Sequence, residues 1–108
     1  MSPIIGTYNN ATLKATLVIA SADDSTGAIK GTLTVASLNI PVTGGWNTSN
    51  IAPSAVFSFA GGTTVTQVAG VGATTDFRSF QPTNISFSLA STGGVITDMG
   101  GQFQFVRS

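Results

Sequence analysis

Apolar side chains in this chain return at every second position, segment after segment. Leu13, Ala15, Leu17 and Ile19 alternate with Lys14, Thr16 and Val18. Ile29, Gly31, Leu33 and Val35 alternate with Lys30, Thr32 and Thr34, and Leu38, Ile40 and Val42 with Asn39, Pro41 and Thr43. The same period returns at Ala55, Phe57 and Phe59, at Ile85, Phe87 and Leu89, and at Phe103 and Phe105. A weaker set, Val65, Gln67, Ala69 and Val71, reads as one face of a further strand opposite Thr64, Thr66 and Val68. Successive side chains of a strand point to opposite faces, so each segment owns one apolar and one polar face. No twelve-residue window carries a helical stripe, and helix formers are scarce.

Turn chemistry separates the segments. Asp23-Asp24-Ser25-Thr26-Gly27 reads as a solvated hairpin tip whose glycine can take positive φ. Gly44-Gly45-Trp46-Asn47-Thr48-Ser49-Asn50 reads as a longer loop, and Gly61-Gly62 as a two-residue hairpin loop. Gly93-Gly94 and Gly100-Gly101 bracket a short strand at Val95-Ile96-Thr97. About eight or nine strands result, which predicts an all-β fold. The expected architecture is one domain over residues 1–108, an antiparallel eight-stranded up-and-down β-barrel, with a β-sandwich as the alternative.

The polar faces are almost uncharged. Four bases (Lys14, Lys30, Arg78, Arg107) and four acids (Asp23, Asp24, Asp76, Asp98) give zero formal charge, and Ser and Thr number 28. With no His and no Cys, the commonest general base, the thiolate nucleophile and the usual transition-metal ligands are missing. The chain is therefore read as no enzyme, with no cofactor and no metal. Four scattered bases do not make a phosphate-binding surface, so no nucleic-acid partner is expected. No apolar run is long enough for a membrane-spanning helix, and no membrane partner is expected. Met1-Ser2-Pro3-Ile4-Ile5 has no basic n-region and no h-region. The compartment stays open, with a secreted or periplasmic setting preferred.

Sparse charge also leaves strand edges without Lys gatekeepers, which favours closing the sheet or burying it in an oligomer. Homo-oligomerisation is therefore expected. Trp46, the only Trp, reads either as a plug over one end of the core or as a stacking platform for a sugar or aromatic ring. Asp76-Phe77-Arg78-Ser79-Phe80-Gln81 reads either as a loop anchored by its Phe residues or as a rim that holds a partner.

Several stretches carry a resemblance. Gly6-Thr7-Tyr8-Asn9-Asn10 resembles the opening Gly-[Thr/Lys]-Trp-x-Asn of the avidin/streptavidin family. Thr26-Gly27-Ala28-Ile29-Lys30-Gly31-Thr32-Leu33 resembles its hairpin and Thr-Gly-Thr-Tyr strand. Val42-Thr43-Gly44-Gly45-Trp46-Asn47 is similar to its Leu-Thr-Gly-x-Tyr-Asp strand end, and Gly101-Gln102-Phe103-Gln104-Phe105-Val106-Arg107 to its final strand. The resemblance covers the first fifty residues and the last eight.

It implies an eight-stranded barrel, commonly tetrameric, that binds a small ligand at one open end. The implied ligand-binding positions are Tyr8, Asn10, Leu33, Val35, Trp46 and Gln102, with entry near Asn10, Trp46 and the loops around Gly61 and Phe77. Asn10 stands where the family has its ureido-binding Asn. Leu33 and Val35 stand where it has Tyr and Ser, and Gln102 where it has Asp. Each missing hydrogen bond to a buried urea costs ~1–3 kcal/mol, so membership alone need not bring biotin binding. Two other functions suit the same residues. One is a self-associating structural or adhesion domain; the other is a carbohydrate-binding module reading sugars with Trp46, Tyr8 and Asn side chains.

Overall fold

The computed structural model describes residues 3–48 and 53–107, apart from the side chains of residues 99–102. Eight strands follow one another: β1 (Gly6–Asn10), β2 (Ala15–Ala22), β3 (Ala28–Val35), β4 (Leu38–Thr48), β5 (Ala55–Gly62), β6 (Thr66–Thr74), β7 (Thr83–Ser91) and β8 (Val95–Arg107). Each pairs antiparallel with the next, and β8 returns to β1, which closes the barrel. This is the up-and-down barrel that the alternation implies, not the sandwich.

The alternating residues behave as their period requires. Ala15, Leu17 and Ile19 of β2, Ile29, Leu33 and Val35 of β3, and Ile85, Phe87 and Leu89 of β7 are all buried. Phe57 and Phe59 stack at 6.3 Å inside the wall of β5. Removing each such side chain from water contributes ~1.5–3 kcal/mol. Leu33, Phe57, Phe59 and Phe87, each at most 4% exposed, fill the interior with side chains.

β6 departs from its expected phase. Val65 and Val71 are 48% and 60% exposed, whereas Thr66, Val68 and Thr74 are buried. The inward positions between them are Gly70 and Gly72, which pair with Phe59 and Phe57. A Cβ at Gly70 would lie 2.5 Å from the Phe59 ring tip, and one at Gly72 deeper still in the Phe57 ring. The two Phe rings occupy the space that side chains of β6 would otherwise use. Glycine carries no hydrophobic signal, so the outward valines take over the pattern.

Three turns are also placed differently from expectation. Gly61 and Gly62 belong to β5, and the bend lies at residues 63–65, where Thr63 N–H donates to the Thr66 carbonyl at 2.8 Å. Residues 44–48 continue β4 instead of forming a loop, while 49–52 lie outside the described residues. Val95-Ile96-Thr97 opens a single long β8, with a register shift opposite Ser86. The β3–β4 hairpin turns on Ala36 and Ser37, whose φ values are +50° and +66°. Two consecutive positive φ values make the primed turn that suits strand twist, built here without glycine.

Candidate functional site

One barrel end is closed by side chains from three directions. Phe80, fully buried with φ +53°, sits edge-to-face with Tyr8 at 6.3 Å and with Trp46 at 6.1 Å. Its loop is pinned by Phe80 N–H donating to the Asp76 carbonyl at 2.8 Å and by the Thr83 hydroxyl donating to the Phe80 carbonyl. Asp76 Oδ1 accepts from the Arg78 N–H at 2.9 Å, and the Arg78 guanidinium lies 5.6 Å from the Phe77 ring centre. Arg107 joins this loop to the N-terminal segment: Nη1 donates to the Ser79 carbonyl at 3.0 Å, and Nη2 to the Ile5 carbonyl at 2.6 Å.

The six positions singled out in the sequence do not meet in one place. Leu33 and Val35 lie in the filled core, at 0% and 1% exposure. Tyr8 is equally buried, and its hydroxyl donates to the Ile4 carbonyl at 2.6 Å. Asn10 ends β1, two residues beyond Tyr8, at the turn into β2, where Nδ2 donates to the Gln104 carbonyl at 3.0 Å and Oδ1 accepts from Leu13 N–H at 2.8 Å. Gln102 is a residue of β8, and its side chain lies outside the described residues. Trp46 lines a hollow. Gly61, beside Val68 near the start of β6, and Phe77, in the loop after Thr74, are separated by most of the length of β6.

A concavity of about 700 Å³ lies on the outer wall of β4–β7. The outward residues Val56 and Ser58 of β5 and Val71 and Ala73 of β6 form its floor. Asn84 and Ser86 of β7 bound one side, and Asn47, Trp46 and the Thr26–Gly27 turn the other. A second hollow of about 480 Å³ begins across the same Trp46 ridge and is lined by Asp24, Ser25, Thr48 and Phe77 as well. The ridge is held by Trp46 N–H donating to the Gly27 carbonyl at 2.8 Å. Asp23 shapes the adjoining turn. Its Oδ1 accepts from Ser25 Oγ at 2.7 Å and Ser25 N–H at 2.9 Å, bonds that hold its carboxyl below the usual range.

Nothing about the larger hollow is titratable. Its polar groups are hydroxyls, amides and backbone, and the described residues hold no cluster of three His, Cys, Asp or Glu. It can bind by shape and hydrogen bonding but holds no general acid or base. Trp46 Nε1–H is buried without an acceptor among the described residues, a rare state for an indole donor. The sequence did not reveal Val56, Ser58, Val71, Ala73, Asn84 or Ser86, because outward polar and small residues on separate strands share no motif. The one signal was the unbroken run of uncharged outward residues on β5, β6 and β7. Compared with protein-family models, with curated proteins and with solved structures, the chain matches none.

Tyr8 offers a direct check of the plugged end. Burial raises its pKa from 10.0 to about 12, partly offset by the Arg107 charge, whose guanidinium lies 5.9 Å from the ring centre. A raised folded pKa means stability is full below 10 and is lost as pH climbs toward 12. Phenolate absorbance of this single-tyrosine chain should therefore titrate near 12 while folded, with unfolding accelerating in that window. A transition near 10 in the folded protein would contradict the buried placement.

Proposed function

We propose that the protein is a non-enzymatic binding barrel for a neutral small molecule, ureide-like or sugar-like, held on the outer wall beside Trp46. The observation that carries this reading is the uncharged hollow of about 700 Å³, within the ~300–1,000 Å³ typical of ligand sites. Valine and alanine on its floor supply apolar contact. Ser58, Ser86, Asn47 and Asn84 supply donors and acceptors without a net charge. The eight-stranded up-and-down barrel is compatible with an avidin-like build, and the proposal carries that resemblance forward. It moves the ligand, however, from the packed interior to the wall.

The single Trp makes the test simple. Titration with biotin, its ureide analogues and neutral mono- and disaccharides should produce a saturable change in Trp fluorescence and a rise in melting temperature. At a hundredfold excess over Kd the stabilisation is ~2.7 kcal/mol. Ala73→Phe, which fills the floor from an exposed position, should abolish the response and leave the melting curve of the free protein unchanged. Flat curves at millimolar ligand across the whole panel would overturn the reading.

A second reading, a self-associating domain, is favoured by a different observation. The outer faces of β5, β6 and β7 carry no charged side chain, and Val56 and Val71 are 52% and 60% exposed there. Such a face meets another without electrostatic repulsion.

A further inference from the structure

The seam that closes the barrel is unequal. β1 has five residues and β8 thirteen. Their ladder consists of Tyr8↔Arg107 and Asn9↔Val106, followed by the Asn10 side chain on the Gln104 carbonyl. Residues 95–103 of β8 run on past β1, paired with β7 on one side. Among the described residues, no strand lies along their other side.

The direction of the free groups follows from the ladder. Gln104 turns its carbonyl toward β1, so its odd-numbered neighbours bond to β7. β7 runs without interruption, and the same alternation makes Leu89–Thr97 and Ser91–Val95 bonded pairs. Ile96 and Asp98 therefore turn their N–H and C=O groups to the open side. Val95 and Ile96 are 59% and 74% exposed and belong to opposite faces of the sheet. β7 is paired with β6 at this level, through Val68↔Leu89 and Thr66↔Ser91, so residues 95–98 form the outermost strand of the sheet there. Natural edges are guarded by Lys, Pro or inward charge; residues 95–98 of this one carry a single acid, Asp98, whose Oδ1 accepts from Ser88 Oγ at 3.0 Å.

We propose that a second copy of this chain covers this edge, β8 against β8 in antiparallel register about a two-fold axis at Thr97. The inference rests on the self-association reading and places the contact at the β8 edge, not on the outer faces of β5–β7. Antiparallel two-fold pairing joins the same edge of both copies, so the open groups of Ile96 and Asp98 are satisfied in each at once. The axis at Thr97 sets Thr97 opposite the partner's Thr97, a favourable cross-strand pair. It sets Ile96 opposite the partner's Asp98 and keeps the two carboxylates from facing each other. With zero formal charge on the chain, long-range repulsion does not oppose the encounter.

The full chain at tens of micromolar should show twice its 10.9 kDa mass by light scattering. Ile96→Pro removes an N–H that points to the open side and leaves the β7 ladder intact; Ile96→Lys places a charge on the edge. Both should shift the mass to that of one chain with the barrel's melting transition retained. Hydrogen exchange on the unmodified chain gives an answer independent of the variants. The Ile96 and Asp98 amides should be protected in proportion to protein concentration. A dimer that survives both substitutions, or edge amides that exchange fast at every concentration, would overturn the β8 interface while leaving self-association standing. A monomeric unmodified chain would overturn both.

Discussion

Phe80→Ala should lower the unfolding free energy by ~3–5 kcal/mol, the usual cost of deleting a buried Phe that leaves a cavity. Domains of this size are stable by only ~5–15 kcal/mol, so the substitution takes a large share. The expected loss lies at the high end for two reasons. Phe80 is fully buried, and its ring makes edge-to-face contacts with both Tyr8 and Trp46, each worth ~0.5–1.5 kcal/mol beyond burial. The cavity would also admit water to the indole, so Trp46 emission should shift to the red in the folded protein. Denaturant unfolding with fluorescence reads both quantities in one experiment. A loss below ~1 kcal/mol with unchanged emission would mean that Phe80 does not plug the barrel, because surface changes fall in that range.

Gly44→Ala should destabilise by about 3 kcal/mol, while Gly45→Ala next to it costs little. Gly44 sits on the inner phase of β4, opposite Phe59. A Cβ there would run into the Ser58 carbonyl and within 2.8 Å of the Phe59 Cα, atoms of backbone that cannot swing aside. At Gly45 the nearest atom is the Gly27 oxygen at 3.5 Å, an ordinary contact. Overpacking of a strand against a strand ordinarily costs ~1–3 kcal/mol, and a rigid backbone obstacle puts Gly44 at the top of that range. Losing a glycine also narrows the unfolded ensemble, which favours Gly45→Ala slightly. The pair is therefore its own control. Equal midpoints in urea for the two variants would remove the close approach of β4 and β5 from the account.

The barrel was legible because most strands advertise one face. Leu17, Leu33, Ile40, Phe57 and Phe87 each stand in a run of apolar residues at every second position, and the structure buries every one of them. β6 was illegible for a reason its neighbour supplies: the bulk that fills its inner side comes from Phe57 and Phe59 of β5, so its own inner residues shrink to Gly70 and Gly72. The Ala36–Ser37 turn was hidden because the positive-φ pair of a primed turn is signalled by Gly, Asn and Asp, and neither residue is one of these. Gly61–Gly62, by contrast, signals a turn and serves as strand. A Cβ at Gly61 would collide with the Pro41 carbonyl, and close strand approach needs glycine as much as a bend does.

The candidate site was legible at Trp46 and hardly elsewhere. A lone Trp among small residues stands out in any chain. The hollow beside it is assembled from the outward positions of three successive strands, Ser58, Val71 and Ser86 in one lateral row and Val56, Ala73 and Asn84 in the next. Rows across a sheet are set by register, which the alternation leaves free to slide by two. Asn10 was singled out for a ligand and instead bridges the seam and caps the turn to Leu13. Both uses ask for a short amide at a strand end, so the residue type alone does not separate them.

Seven of the eight strand pairings join neighbours in the chain, and only β1 with β8 spans nearly its whole length. On the ribosome, hairpins from β1 through β7 can therefore zip up one after another as they emerge. The first strand must wait with one flank bare until Val106 and Arg107 have been made. A copy that folds strand by strand as it is made would pass through an open, C-shaped stage whose two lips are β1 and the growing front of the sheet. Chaperones, or another nascent copy, would meet the protein at that stage.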